Sequence, residues 1–139
     1  MEYKVKDVVK VIEDCAPLSL QEGWDNSGLC IGSPDSPVSS VLFGLDCTPE
    51  LVDEAVACGA DMIVTHHPLI FSGLKKISPD NPVGEAVIKA IRAGISIYAA
   101  HTSADKVIAG VSGAMAARLG LVNVSILDED GDGTGLGVV

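Results

Sequence analysis

Three histidines are the residues of this chain best suited to chemistry. His66 and His67 stand side by side at the end of the apolar run DMIVTHHPLIF (61–71), and His101 opens the segment HTSAD (101–105); the chain has no other histidine. Imidazole nitrogens ligate divalent transition metals, and imidazole moves protons near neutral pH. On an extended segment two neighbouring side chains point to opposite sides, so His66 and His67 are expected to serve two ions rather than one. Pro68 lacks a backbone donor and biases His67 towards an extended conformation. If the segment from His101 turns into a helix, His101 and Asp105 share a face at i and i+4. A carboxylate bridges two ions readily, which makes Asp105 the candidate bridge. Histidines near strand ends also serve as satisfied surface or buried groups, but all three falling at the ends of expected strands favours ligation.

The elements that must position these residues alternate between helix and strand. Val5, Val8, Val9 and Ile12 follow the spacing of one helical face, closed by Pro17. A polar, Gly-containing link follows, and VSSVLFGLD (38–46) reads as a strand. Thr48 then caps a helix with Pro49 at its first position and Gly59 past its end. Residues 62–65, MIVT, suit a buried strand. Asn81 and Pro82 start a helix through about Ala93, with Gly94 as its stop. ISIYAA (95–100) is the next strand, followed by a helix from about Val107 to Leu119 and a last strand, VNVSIL (122–127). The tail DEDGDGTGLGVV reads as a loop or boundary. Strands separated by helices of this length imply a single α/β domain over residues 1–139, built of βαβ units with a mostly parallel sheet and helices on both faces. In such a sheet ligands gather outside the carboxyl ends of the strands, where the histidines are expected.

Composition bounds the partners. The chain has 139 residues, 47% of them hydrophobic, and a mean hydropathy of +0.38, which excludes general disorder. No run approaches the roughly 20 apolar residues of a membrane span, and the N-terminus lacks the apolar core and cleavage site of a signal peptide, so a cytoplasmic location is expected. Cysteines 15, 30, 47 and 58 form no CxxC pair or zinc-module spacing, and most of them read as small buried hydrophobes. A net charge of −10 with 9 Lys+Arg disfavours nucleic acid and tolerates a bound cation.

Other constellations carry less. Asp128, Asp130, Asp132 and Gly133 imitate the start of a calcium loop whose twelfth position is Val139 instead of Glu. GDGTGLG follows the last expected strand and cannot open a phosphate cradle. Ser72, Ser103 and Cys47 lack the surroundings of a nucleophile motif and read as loop or core residues.

WDNSGLCIG (24–32), GADMIVTHHPLIFSGLKKI (59–77) and YAAHTSAD (98–105) with the AGVSGAMAARLGL stretch (109–121) resemble, in order and over nearly the whole chain, the NGG-interacting factor three-like family, often labelled GTP cyclohydrolase I type 2 homologues. The resemblance implies an α/β fold, a two-metal site and a ring-shaped homohexamer. It implies that His66, His67 and Asp105 are metal ligands, with His101 beside them in the same pocket; an imidazole there can move a proton at physiological pH, which makes His101 the candidate catalytic residue, and zinc, iron, manganese and nickel are the candidate ions. Asp25 and Asn26 match a family motif and are expected to build a turn. Family chains continue past a GTGLG-like segment into a second half that supplies a further His and a Glu. Residues 1–139 are therefore expected to be the N-terminal portion of such a protein, or a short member completed by another subunit. Partial metal occupancy is expected unless Asp46, a partner chain or water fills in. The expected function is hydrolysis of a nucleotide or phosphoester-like substrate; the alternative is a non-catalytic, ring-forming metal-binding scaffold.

Overall fold

The computed structural model describes residues 2–139. Helix α1 (Val5–Cys15) and a 3-10 turn (Leu18–Leu20) precede strands β1 (Gly28–Ile31) and β2 (Val41–Gly44). Helix α2 (Pro49–Cys58), strand β3 (Met62–Thr65), helix α3 (Pro82–Ala93) and strand β4 (Ser96–Ala99) complete the central layer, followed by α4 (Thr102–Lys106), α5 (Val111–Arg118), β5 (Ile126–Gly131) and β6 (Thr134–Val138). The main sheet has the order β1-β4-β3-β2, with β2, β3 and β4 parallel and β1 antiparallel at the edge.

Side-chain alternation along the two central strands explains why the sheet needs helices on both faces. Ile63 and Ile97 point into a core with Val52 and Ala55 of α2 and Ala86, Val87 and Ala90 of α3. Met62, Val64 and Tyr98 point the other way, onto Val5 and the partly buried Val8, Val9 and Ile12 of α1. Ile63, Ile97, Met62, Val5 and Val52 are completely buried, each contributing about 1.5–3 kcal/mol over exposure. The Tyr98 hydroxyl donates to Glu13 at 3.2 Å and so ties α1 to β4.

The helix ends are where the sequence places them. Thr48 Oγ1 accepts from Leu51 N at 3.2 Å and Asn81 Oδ1 from Gly84 N at 2.9 Å, each satisfying an orphan donor of a first turn. Gly59 (φ 71°) and Gly94 (φ 70°) end α2 and α3 in the left-handed region that a Cβ disfavours.

Three expectations need correction. The link after Pro17 contains β1, an edge strand too short and Gly-rich to stand out. The expected helix from Val107 to Leu119 is confined to α5, Val111–Arg118, and a separate short helix, α4, precedes Val107. Val107 is extended (φ −89°, ψ 136°) and bridges Thr134, so α4 starts earlier, at Thr102, and α5 begins anew at Val111. The tail is a hairpin, not a loop: β5 starts at Ile126, and Gly131 pairs with Thr134 around Asp132 and Gly133, whose φ values of 58° and 74° are those of a two-residue I′ turn. Among the described residues, no helix is long and apolar enough to cross a membrane.

Candidate metal centre

Register alone brings the histidines together. Thr65, the last residue of β3, pairs with Ala99, the last of β4, and with Gly44, the last of β2. The three parallel strands therefore end level, and the residues that follow them emerge side by side: Asp46 after β2, His66 and His67 after β3, His101 after β4. Backbone bonds from His66 N to Gly44 O (3.3 Å) and from His67 N to Leu45 O (3.0 Å) fix the path of the double-histidine segment.

His66 and His67 do not diverge as extended neighbours would. Both lie in a bend beyond the end of β3, where strand alternation no longer applies, and their ring centroids are 4.9 Å apart. His101 lies 5.1 Å from His66 and 5.6 Å from His67. One ring nitrogen from each residue falls within 4.8 Å of the others, an arrangement that can converge on a cation.

Each ring is held by an acceptor behind it. His66 Nδ1 donates to the Ala100 carbonyl at 2.9 Å, His67 Nδ1 to Asp46 Oδ1 at 2.7 Å and His101 Nδ1 to Asp25 Oδ1 at 2.9 Å. Carbonyl and carboxylate oxygens only accept, so each neutral ring carries its proton on Nδ1 and keeps Nε2 free as a lone-pair donor. Orienting oxygens of this kind fix ring and tautomer in metal centres. The donor set suits borderline divalent ions such as zinc, iron, manganese or nickel. Asp105 is adjacent: its Oδ1 lies 3.7 Å from His66 Nε2, because His101 immediately precedes α4, whose first turn carries Asp105 N back to His101 O at 3.2 Å. Three imidazoles and this carboxylate suffice for one ion; two ions require further donors.

Asp25 has a larger role than the turn expected of it. Its side chain is completely buried and its two oxygens accept from His101 Nδ1, Ser27 Oγ (2.8 Å), Thr102 Oγ1, Thr102 N (3.1 Å) and Asn26 N (2.6 Å). Burial alone would raise the Asp25 carboxyl pKa. Hydrogen bonds from Thr102, His101 and Ser27 more than offset this and hold it well below the usual carboxylate range. Asn26 Nδ2 donates to the Ile70 carbonyl at 2.6 Å and ties this loop to the one after β3. The WDNS sequence signals a turn; only the fold reveals that its carboxylate orients His101.

Cys47 is buried beside the cluster's strand ends and its thiol is pushed up to about 12, first by burial and then by Cys30, which fits a core residue. Ser103 Oγ is buried in α4 without a hydrogen-bond partner among the described residues, and Ser72 is exposed in the loop after Phe71.

Residues 3–139 match the family model described as Duf34/NIF3 (NGG1p interacting factor 3). A Clostridium acetobutylicum protein named GTP cyclohydrolase 1 type 2 homolog is 42% identical over 127 residues, covering 91% of this chain and 47% of that protein. A Mycobacterium tuberculosis protein of the same name is 38% identical over 128 residues, covering 92% and 33%. The crystal structure of a Staphylococcus aureus protein superposes with a TM-score of 0.88 at 39% identity, covering 92% of this chain and 36% of that one. A Bacillus cereus protein described as related to NIF3 does so with a TM-score of 0.87 at 41% identity, covering 91% and 35%. The chain spans about half the length, or less, of these curated relatives.

Proposed function

This chain belongs to the Duf34/NIF3 family, and from that premise we propose that it carries the larger share of a dinuclear metal centre for hydrolysis of a nucleotide or phosphoester-like substrate. The observation that carries the reading is the common arrangement of the three histidines, each with Nδ1 bound to an oxygen and Nε2 left for the cluster. His66, His67 and Asp105 would hold the ions, with the remaining donors coming from a longer chain, another subunit or water. A bound divalent ion supplies Lewis-acid polarisation and lowers the pKa of a water towards neutrality. His101 is the proton carrier: Nε2 takes up a proton, and the Asp25 carboxylate at Nδ1 stabilises the imidazolium and holds its orientation.

The test is metal content per chain after loading with zinc or manganese, in wild type and in the His66→Ala/His67→Ala variant, followed by phosphoester turnover. Near-stoichiometric metal that the double variant loses supports the centre. His101→Ala should keep its fold and lose roughly 100- to 10,000-fold in turnover. A wild-type chain that holds no metal after loading refutes the reading.

A ring-forming scaffold without turnover is the second reading. It is favoured by exposed apolar side chains on and after α5, where Met115 is 58%, Leu119 75% and Val122 81% exposed, more than isolated surface residues would present. Under it His101→Ala changes nothing, while charged substitutions at Leu119 or Val122 alter the oligomer. In either reading the protein is a cytoplasmic homo-oligomer, an assignment supported by four free thiols and this apolar surface.

A further inference from the structure

Two side chains at the rim of the histidine cluster neither hold a ring nor carry a proton. Trp24 is 61% exposed and Phe71 is 53% exposed, in a sequence with one Trp and two Phe. Single exposed apolar side chains are ordinary. This pair differs because both rings border the same imidazole. Their centroids are 6.0 Å apart with planes inclined by 49°. The His101 ring stands roughly perpendicular to both, 6.2 Å from Trp24 and 6.4 Å from Phe71.

The two rings come from separate loops, one before β1 and one after β3, and each loop is anchored at the neighbouring residue. Asp25, next to Trp24, is buried under five hydrogen bonds. Ile70, next to Phe71, receives the 2.6 Å bond from Asn26 Nδ2. The aromatic surface is thus preorganised while remaining open to solvent, the condition under which a ligand binds without first ordering its site.

We propose that Trp24 and Phe71 form a stacking wall for the base of a nucleoside phosphate whose phosphate reaches the histidine cluster. The inference rests on the metal-centre reading above and adds the part of the substrate that selects it. Aromatic side chains grip bases through their π faces with little dependence on base identity. The wall lies one ring beyond His101, so a ligand stacked there needs a short spacer before its phosphate meets the metal donors, and ribose is such a spacer. The loop bearing Phe71 also carries the exposed Lys75 and Lys76, positive charge on a chain of net charge −10, which favours an anionic ligand on this side.

Trp24 is the only tryptophan, so its emission reports on this wall alone. Guanosine monophosphate and adenosine monophosphate are titrated into the zinc-loaded chain, with ribose phosphate as the control lacking a base. Both nucleotides should quench Trp24 and bind more tightly than ribose phosphate. Phe71→Ala should weaken nucleotide binding by roughly 5- to 150-fold, the loss of one stacking partner, without changing zinc content or affinity for ribose phosphate; Phe71→Tyr should restore wild-type affinity. Equal affinity for nucleotide and ribose phosphate, or an unchanged Phe71→Ala variant, overturns the proposal. So does Trp24 emission that varies with protein concentration and not with nucleotide, which would assign the rings to a contact between subunits. Zinc content separates this from the reading it rests on. Zinc bound without nucleotide quenching overturns the wall alone, and quenching in a chain that holds no zinc supports the wall and overturns the metal centre.

Discussion

The buried carboxylate of Asp25 and the imidazole of His101 meet at 2.9 Å across 76 residues of sequence. This bond makes the loop before β1 part of the histidine site. Asp25→Asn removes the charge, and its amide cannot accept at both oxygens, so donors from Ser27 or Thr102 lose their partner. A loss of about 1–3 kcal/mol in unfolding free energy is expected, together with a 10- to 100-fold fall in turnover as His101 loses its orienting partner. The pH dependence has a defined sign. The folded carboxyl titrates well below its ordinary value of about 3.9, so its stabilisation is complete above that value and fades as pH falls below about 4 towards the folded pKa. Urea unfolding of wild type should weaken through this acid window, and Asp25→Asn should lack that component; parallel curves would contradict the assignment.

Asp46 holds His67 as Asp25 holds His101, yet the two pairs are unequal. The His67 and Asp46 side chains are 46% and 58% exposed, against 17% and 0% for His101 and Asp25. Water can replace the Asp46 carboxylate, and solvent screens the pair. Asp46→Asn should therefore cost less than about 1 kcal/mol in stability, and less than Asp25→Asn. Urea unfolding of both variants ranks them, and a larger loss of stability in Asp46→Asn would reverse the ordering set by burial.

Local signals and long-range ones differ in how much of this is legible in sequence. Thr48, Pro49 and Gly59, like Asn81, Pro82 and Gly94, act on neighbours within one turn, and they mark α2 and α3 correctly. The histidines also read correctly as strand-end residues, because apolar runs precede them. β1 does not: four residues beginning with Gly28 carry too little pattern, and its pairing with β4 is remote. The β5–β6 hairpin was concealed by acidic residues in β5, although Asp132-Gly133 is a turn signal that favours it. Neither the convergence of His66 with His67 nor the burial of Asp25 follows from spacing. The first depends on a bend past the strand, the second on hydrogen-bond donors from Thr102 and His101.

Lys106 joins the site's helix to that hairpin. Its Nζ lies 2.6 Å from Glu22 Oε1 and 2.7 Å from Asp130 Oδ2, with the side chain 10% exposed. Hydrogen bonds from its ammonium to Asp130 and Glu22 raise its pKa above the ordinary lysine value. Its contribution is therefore fully present below about pH 10 and is lost only at higher pH. Lys106→Met leaves two carboxylates facing each other across the gap. Amide hydrogen exchange at neutral pH should accelerate in residues 126–138 of this variant while β3 and β4 keep their protection. Asp130→Asn, which leaves the Glu22 pair intact, should show a smaller change.

The four cysteines should divide by reactivity. Cys15 and Cys58 are exposed. Burial pushes the Cys30 thiol up to about 11, and burial with the neighbouring Cys30 pushes Cys47 up to about 12. Since only thiolate attacks a disulfide reagent, the raised thiols of Cys30 and Cys47 are almost wholly protonated and unreactive at pH 8, and both are further shielded by the packed sheet. Titration with a chromogenic disulfide at that pH should give a fast phase from Cys15 and Cys58 and a slow phase limited by opening of the fold, the two merging in denaturant. The slow phase should quicken in Ile97→Ala, which removes a fully buried side chain and costs about 2–5 kcal/mol. If Cys47 instead reacted in the fast phase of the wild type, the packing assigned here to the α2–α3 face of the sheet would be wrong.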